Sequence, residues 1–328
     1  MSGSPGPASG PRFTVVVPAF NAKDTIRRCL NSVQAAIEAW GEAQLIIVDN
    51  GSTDGTYDLL LEQYASRAQI LRDPTATVGA LRNLGARSGA GNLLSFVDAD
   101  CLVPRDYYYR AWEALQRSGA AATGSGYALP EAPHWIELVW YGLHRRRTDG
   151  DVHYLNAGNL VVTREAFEVA GGFNESLITG EDAEFGQRFV HKGYRIYEDR
   201  NVVAVHLGNP QSLRAFCRQQ WWHGLGMFGT AGGPKLDKPL AMTLLHLLLS
   251  VGAVGWAAFR EPPLPAAGWS IAAQAVTPAF TVLYRCQQTG RFSRPFQSLV
   301  LYYLYYWSRV VALSTLILGA PRADRGRR

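Results

Sequence analysis

At 328 residues, with 47% hydrophobic and 18% charged side chains, the chain has room for one large domain or two moderate ones. Its formal charge of +5 is unevenly held: from Leu236 onward ten Lys/Arg face three Asp/Glu, a surplus of seven, which leaves residues 1–235 at −2. Basic charge gathered in the apolar C-terminal third points to a membrane surface and away from nucleic acid. Cys29, Cys101, Cys217 and Cys286 show neither metal-ligand nor disulfide-framework spacing, which excludes a disulfide scaffold and favours a reduced, cytosolic setting.

Residues 1–12 are Gly/Ser/Pro-rich, without a basic start or an apolar stretch, and read as a disordered lead-in rather than a secretory signal. FTVVVP at 13–18 is a β-branched run stopped by proline, the mark of a buried strand. Residues 24–40 follow with apolar positions Ile26, Leu30, Val33 and Ile37 at helical spacing, and Asp24 is the expected N-cap. A second buried strand, LIIV, runs into the polar turn Asp49-Asn50-Gly51-Ser52-Thr53-Asp54, and 56–66 reads as another helix. Alternating strands and helices with short connections are the pattern of a parallel α/β sheet, in which ligands bind beyond the carboxyl ends of the strands. No G-x-G-x-x-G or P-loop follows the first strand, which excludes the usual dinucleotide and P-loop sites.

LLSFVDADC at 93–101 is a third buried strand ending in two carboxylates, Asp98 and Asp100, one residue apart. Such a pair either caps the next element as an Asx turn or turns both oxygens toward one hard cation that keeps open positions for phosphates. Just upstream, Arg82 and Arg87 are either solvated or stand ready for a diphosphate. Gly180-Glu181-Asp182 precedes the helical stretch AEFGQRFVHKGY, where carboxylates suit a helix N-terminus as well as they suit catalysis.

FTVVVPAFN, LIIVDNGSTDGT, GALRNLGARSG, LLSFVDAD, NAGNLVVTREAF and GEDAEFGQRF, in that order, resemble the inverting family 2 glycosyltransferases of the GT-A fold, over about residues 13–235. The resemblance implies an α/β fold with a Rossmann-like, mostly parallel sheet that binds a nucleotide-sugar donor, a UDP-sugar being favoured. Ala19, Asn21, Asp49, Asp54, Arg82 and Asp98 would then line the nucleotide pocket. Asp98 and Asp100 match the metal-and-ribose motif for Mn²⁺ or Mg²⁺, with Asp100 nearer the role of direct ligand. His206 is similar to a third ligand in some GT-A enzymes, while a buried, hydrogen-bonded histidine remains the other reading. Asp182 is similar to the general base; Glu181 and Glu184 would position or cap. Asn156, Gly158, Asn159 and Trp222 resemble the floor on which donor and acceptor meet. Processive members carry Q-x-x-R-W, whereas RQQWWHG here has Gln219 and Trp222 but no arginine before the tryptophan, which favours transfer of a single sugar. Two other classes stand beside this one: a sugar nucleotidyltransferase, which normally needs a Gly-rich basic loop where PAFNAKD stands, and a non-catalytic nucleotide-sugar-binding scaffold.

The aromatic segment 134–141 reads as acceptor cover, membrane contact or ordinary core, and Arg145–Arg147 as a solvated face or a headgroup contact. Residues 236–320 read as membrane-associated helices, followed by a basic tail at 321–328. Spans are expected at 239–259, which is uncharged, and at 264–284, with a third apolar segment at 296–320 that holds Arg309 at its middle. A central arginine costs about 2.5–3.5 kcal/mol on insertion scales, so the third segment should lie in the interface or pack against protein. The positive-inside rule then keeps the catalytic domain and the basic tail on the cytosolic face of the cytoplasmic membrane, beside a lipid-linked or glycan acceptor.

Overall fold

The structure, a computed structural model, describes residues 12–144, 148–226, 238–259, 263–290 and 294–318. Residues 1–11 of the lead-in, the Arg145–Arg147 run and the basic tail expected from the sequence lie outside these described residues. In chain order the elements are β1 (Phe13–Ala19), α1 (Ile26–Trp40), β2 (Ala43–Asp49), α2 (Thr56–Tyr64), β3 (Gln69–Arg72), α3 (Val78–Ser88) and β4 (Leu93–Val97). Then come β5 (Cys101–Leu102), α4 (Tyr107–Ser118), β6 (Ala122–Gly124), α5 (Trp135–Gly142), β7 (Gly150–Val152), β8 (Asn159–Thr163) and α6 (Arg164–Val169). The last are α7 (Glu181–His191), β9 (Ile196–Glu198), β10 (Val205–His206), α8 (Leu213–Leu225), α9 (Lys238–Ala258), α10 (Pro263–Thr289) and α11 (Pro295–Ile317).

The chain divides into two compact units. One takes in the chain through Glu131, then 148–177 and 181–208; the other takes 132–147, 178–180 and everything from Asn209 on. In the first, eight strands lie in the order β3-β2-β1-β4-β8-β6-β9-β7. The half made of β3, β2, β1 and β4 is parallel, as the alternating pattern predicts. The other half is mixed, because β8 runs antiparallel to both β4 and β6, and β7 antiparallel to β9. Strand order reverses between β1 and β4, which opens a crevice at their carboxyl ends where the acidic turns emerge.

Successive residues of β1 point to opposite faces of the sheet. Val15 and Val17 join Ile26, Leu30 and Val33 of α1 and Tyr107 and Tyr108 of α4 in one core. Val16 joins Leu81 of α3 and Phe185 and Phe189 of α7 in the other. Both faces of the strand are buried, which is why its sequence is a continuous β-branched run. Gly85 lets α3 lie close on β1, since a Cβ there would strike the Val16 side chain. Helix α1 begins one residue later than expected. Thr25, not Asp24, stands at its N-cap and makes no side-chain capping bond, its hydroxyl donating instead to the Ala22 carbonyl at 3.3 Å.

The second unit is helical. Ile136 and Trp140 of α5, Phe216 of α8, Val282 of α10 and Leu301, Tyr302 and Tyr306 of α11 form its core. Segment 134–141 is therefore largely core: His134 and Glu137 close a capping box at the start of α5, and Trp140 packs on Phe216 and Tyr302. The Arg309 segment packs against protein within this unit, with its guanidinium 4.9 Å from the Tyr305 ring and its stem near Gly224 of α8. Among the described residues α9 is the one helix long and apolar enough to cross a membrane. The expected span at 264–284 falls within α10, a single helix that carries Gln274 and an internal Pro278 and does not reach that apolar character.

Candidate active site

The turns after β1 and β2 are stitched together at the crevice. Asn21 sits at φ 45°; its amide donates to Ser52 Oγ at 3.0 Å and its Oδ1 accepts from the Thr53 amide at 2.9 Å. Ala19, the buried last residue of β1, accepts the Asn50 amide through its carbonyl at 2.8 Å. Asp49, at the end of β2, is fully buried, and its Oδ1 accepts from the amides of Gly51 and Ser52 at 2.9 and 3.1 Å. Arg72 on β3 stands 3.3 Å from the same oxygen. Asp54 accepts the Thr56 hydroxyl at 2.6 Å, the Thr56 amide at 2.9 Å and the Lys23 amide at 3.1 Å. Burial works against the Asp54 charge, but the bonds from Thr56 and Lys23 outweigh it and hold the carboxyl below its ordinary range. Asp49 and Asp54 thus shape these turns, as an Asx-rich turn requires.

At the end of β4 the two aspartates face different partners. Arg82, on α3 and only 4% exposed, reaches Asp98 Oδ1 with Nη2 at 2.6 Å and Glu181 Oε1 with Nη1 at 2.5 Å. Burial disfavours its charge, yet the two carboxylates reverse that and hold the guanidinium more firmly protonated than usual. Arg82 is therefore the ordered cation of the pair, while Arg87 is exposed and ion-paired with Glu175 at 3.2 Å. Gly158 abuts Asp98: a Cβ there would run into Asp98 Oδ2 and the Tyr127 hydroxyl.

Asp100 faces His206. Strand β10 pairs antiparallel with β5, setting His206 opposite Cys101, and the Asp100 carbonyl accepts the Leu207 amide at 2.8 Å. His206 Nε2 lies 3.4 Å from Asp100 Oδ2. The donor atoms of Asp100, Cys101 and His206 all lie within 4.8 Å of one another, the one such cluster among the described residues. Burial, then the charges of Asp98 and Asp100, push the Cys101 thiol well above its usual range. The Asp100 carboxylate and the His206 imidazole offer oxygen and nitrogen donors of the kind that hold Mn²⁺ or Mg²⁺. Gly208 supports the same fit, since a Cβ there would fill the space beside Asp100 Oδ2.

Helix α7 opens with Glu181, Asp182 and Glu184. Glu181 is spent on Arg82, and Glu184 holds Arg188 through two bonds of 2.8 Å. Asp182 accepts the Ala183 amide at 2.7 Å and has no ion-pair partner among the described residues. Burial and then the Glu181 charge push its carboxyl up to about 7, against the lowering pull of Arg82.

The expected floor residues have different local surroundings. Asn156 accepts the Asn159 amide in the turn before β8, at 3.0 Å. The Asn159 side chain is fully buried, accepting the Tyr107 hydroxyl at 2.7 Å and donating to the carbonyls of Ser125 and Val202 at 2.9 and 3.0 Å. It holds β8 to its neighbours from within. Trp222 lies on α8, in the second unit. Sequence reasoning passed over Tyr127, which touches both Asp98 and His206; a lone tyrosine in a loop carries no local signal of that contact.

The glycosyl transferase family 2 model matches residues 14–170. Succinoglycan biosynthesis protein ExoA of Rhizobium meliloti is 30% identical over 248 residues, 72% of this chain and 73% of its own length. Glycosyltransferase AglE of Haloferax volcanii is 24% identical over 207 residues, 61% of this chain and 68% of its own. Among solved structures, the mannosyltransferase PcManGT of Pyrobaculum calidifontis, in complex with GDP-Man and Mn²⁺, has a similar fold. It aligns with a TM-score of 0.61 at 20% identity, covering 97% of this chain and 90% of its own. Sequence, strand order and relatives agree, and the chain belongs to glycosyl transferase family 2, a glycosyltransferase of GT-A-like fold.

Proposed function

We propose that this enzyme transfers a single sugar, with inversion, from a nucleotide-diphosphate donor to an acceptor held near a membrane. The observation that carries the reading is the Arg82 bridge, which joins Asp98 at the strand end to Glu181, the neighbour of Asp182. Donor-side carboxylates and a carboxyl poised near neutrality are thereby held in one charged network. Asn21, Ser52 and Asp49 fix the turns on which the base would rest, and Arg82 supplies positive charge beside Asp98. Asp100 and His206, with Asp98 beside them, would hold Mn²⁺ or Mg²⁺. Such a cation, when bound, supplies electrostatic stabilisation of the charge growing on the departing diphosphate.

Asp182 accepts the proton of the acceptor hydroxyl as its oxygen bonds to the anomeric carbon. The carbon–oxygen bond to the diphosphate breaks with its electron pair going to the leaving group, so one in-line displacement inverts the centre. A carboxyl raised to about 7 suits this task, because a general base works best near the operating pH. A membrane-proximal acceptor, lipid-linked or glycan, is supported by α9 and by the exposed Leu248, Val251, Trp269, Ile271 and Phe280, and placement on the cytosolic face of the cytoplasmic membrane rests on the positive-inside reading of the sequence. The donor base is tested by thermal shift with UDP- and GDP-sugars in the presence of Mn²⁺, where ligand at 100 times its Kd adds about 2.7 kcal/mol. Inversion is read by NMR of the glycoside formed. A retained anomeric configuration, or undiminished transfer by Asp182→Asn, refutes the mechanism.

A further inference from the structure

Tyr127 stands between the two halves of the strand-end acidic site. Its hydroxyl donates to Asp98 Oδ2 at 3.3 Å, and its ring centroid lies 4.7 Å from the His206 imidazole at a tilt of 31°. The backbone fixes it against the same ribbon that delivers His206. The Ala128 amide donates to the Ala204 carbonyl at 2.8 Å, and the His206 amide donates to the Ala128 carbonyl at 3.2 Å. Ala128 and Val205 form a parallel bridge. Gly158 leaves room for this pair, since a Cβ there would displace both the Tyr127 hydroxyl and Asp98 Oδ2. The ring also packs against the core formed with α1 and α4, a task phenylalanine would serve equally well. What tyrosine adds is the bond to Asp98.

We propose that Tyr127 is a positioning residue for the divalent-cation site, its hydroxyl fixing the Asp98 carboxylate and its ring fixing the plane of the His206 imidazole. The proposal rests on the reading of Asp98, Asp100 and His206 as the cation-binding set. Groups that orient metal ligands change metal affinity by about 10–100-fold when removed. Here two such groups share one side chain, so cation affinity depends on a residue that is not itself a ligand.

The test is titration of the full-length protein with Mn²⁺ alone, followed by the loss of the free-ion EPR signal, for wild type, Asp100→Ala, Tyr127→Phe and Tyr127→Leu. Tyr109→Phe is the control, because the Tyr109 hydroxyl donates to the Ala39 carbonyl on α1. The expected result is loss of the site in Asp100→Ala and about tenfold weaker binding in Tyr127→Phe. Tyr127→Leu should bind weaker still, and Tyr109→Phe should be unchanged. The bound-Mn²⁺ spectrum of Tyr127→Phe should broaden while its melting temperature stays that of wild type, a combination that general loosening of the fold does not give. If Asp100→Ala loses the site but Tyr127→Phe binds within about twofold of wild type, the Tyr127 role is overturned while the cation reading stands. If wild type and Asp100→Ala bind alike, or neither binds, the cation reading falls and takes the Tyr127 role with it.

Discussion

Asp182 and Glu181 are adjacent acids with opposite fates, and the difference is one guanidinium. Arg82 bonds Glu181 directly at 2.5 Å, whereas Asp182 is half-buried beside that negative charge and rises to about 7. With Asp182 as base, kcat/KM should climb about tenfold per pH unit below 7 and level off above it. Asp182→Asn should lose about 10²–10⁴-fold in rate and the pH dependence with it; initial rates across pH 5–9 check both. Stability runs the other way. A carboxyl whose folded pKa lies above its ordinary 3.8 gives a contribution that is complete below that value and is lost as pH rises through about 7. Urea titrations should therefore show Asp182→Asn gaining on wild type between pH 5 and 8. Replacing Arg82 by Met leaves Glu181 unpaired at 7% exposure and removes the charge that lowers the Asp182 pKa. The expected cost is about 3–5 kcal/mol in urea unfolding, and in whatever activity survives, an acid limb displaced to higher pH.

At the scale of elements, close packing of α3 on β1 sets where the strand-end turns emerge. Gly85→Ala pits a helix-propensity gain of about 1 kcal/mol against intrusion into the Val16 side chain, for which overpacking typically costs about 1–3 kcal/mol. The clash should win, and the urea midpoint should fall without a change in the slope of the transition. The sequence makes β1, β2 and β4 legible because both faces of each strand are buried and apolar residues therefore dominate each run. The short strands β6, β7 and β9 are three residues each and carry no such run, so the mixed half of the sheet stays hidden. The acidic turns are visible for a local reason: they stop the strands. His206 beside Asp100, Tyr127 beside Asp98 and the interior role of Asn159 depend on partners between 29 and 106 residues away or on several elements at once, and nothing in their own neighbourhood announces it. Asp24 shows the local limit, since a good capping residue one position early is indistinguishable from the cap until the backbone is placed.

Across the whole molecule, charge divides along the chain, residues 1–235 carrying −2 and the apolar stretch from Leu236 onward +7. Leu248 and Val251 on α9 are 70% and 63% exposed, one turn apart on the same face. In vesicle flotation the full-length protein should rise with phosphatidylcholine liposomes, and the Leu248→Glu, Val251→Glu double variant should be bound severalfold less. The two compact units also interleave along the chain. Residues 132–147, well before the last strand, belong to the helical unit, where Ile136 and Trp140 meet Val282 of α10 and Leu301 and Tyr302 of α11. A fragment ending at residue 226 thus keeps α5 but loses α10 and α11, which leaves those apolar side chains without their partners. It should aggregate in detergent-free buffer, as size-exclusion chromatography would read directly. The helical unit is not a terminal appendage: a cut after residue 226 divides one core between two pieces, so protease or gene truncation there does not release the helical unit intact.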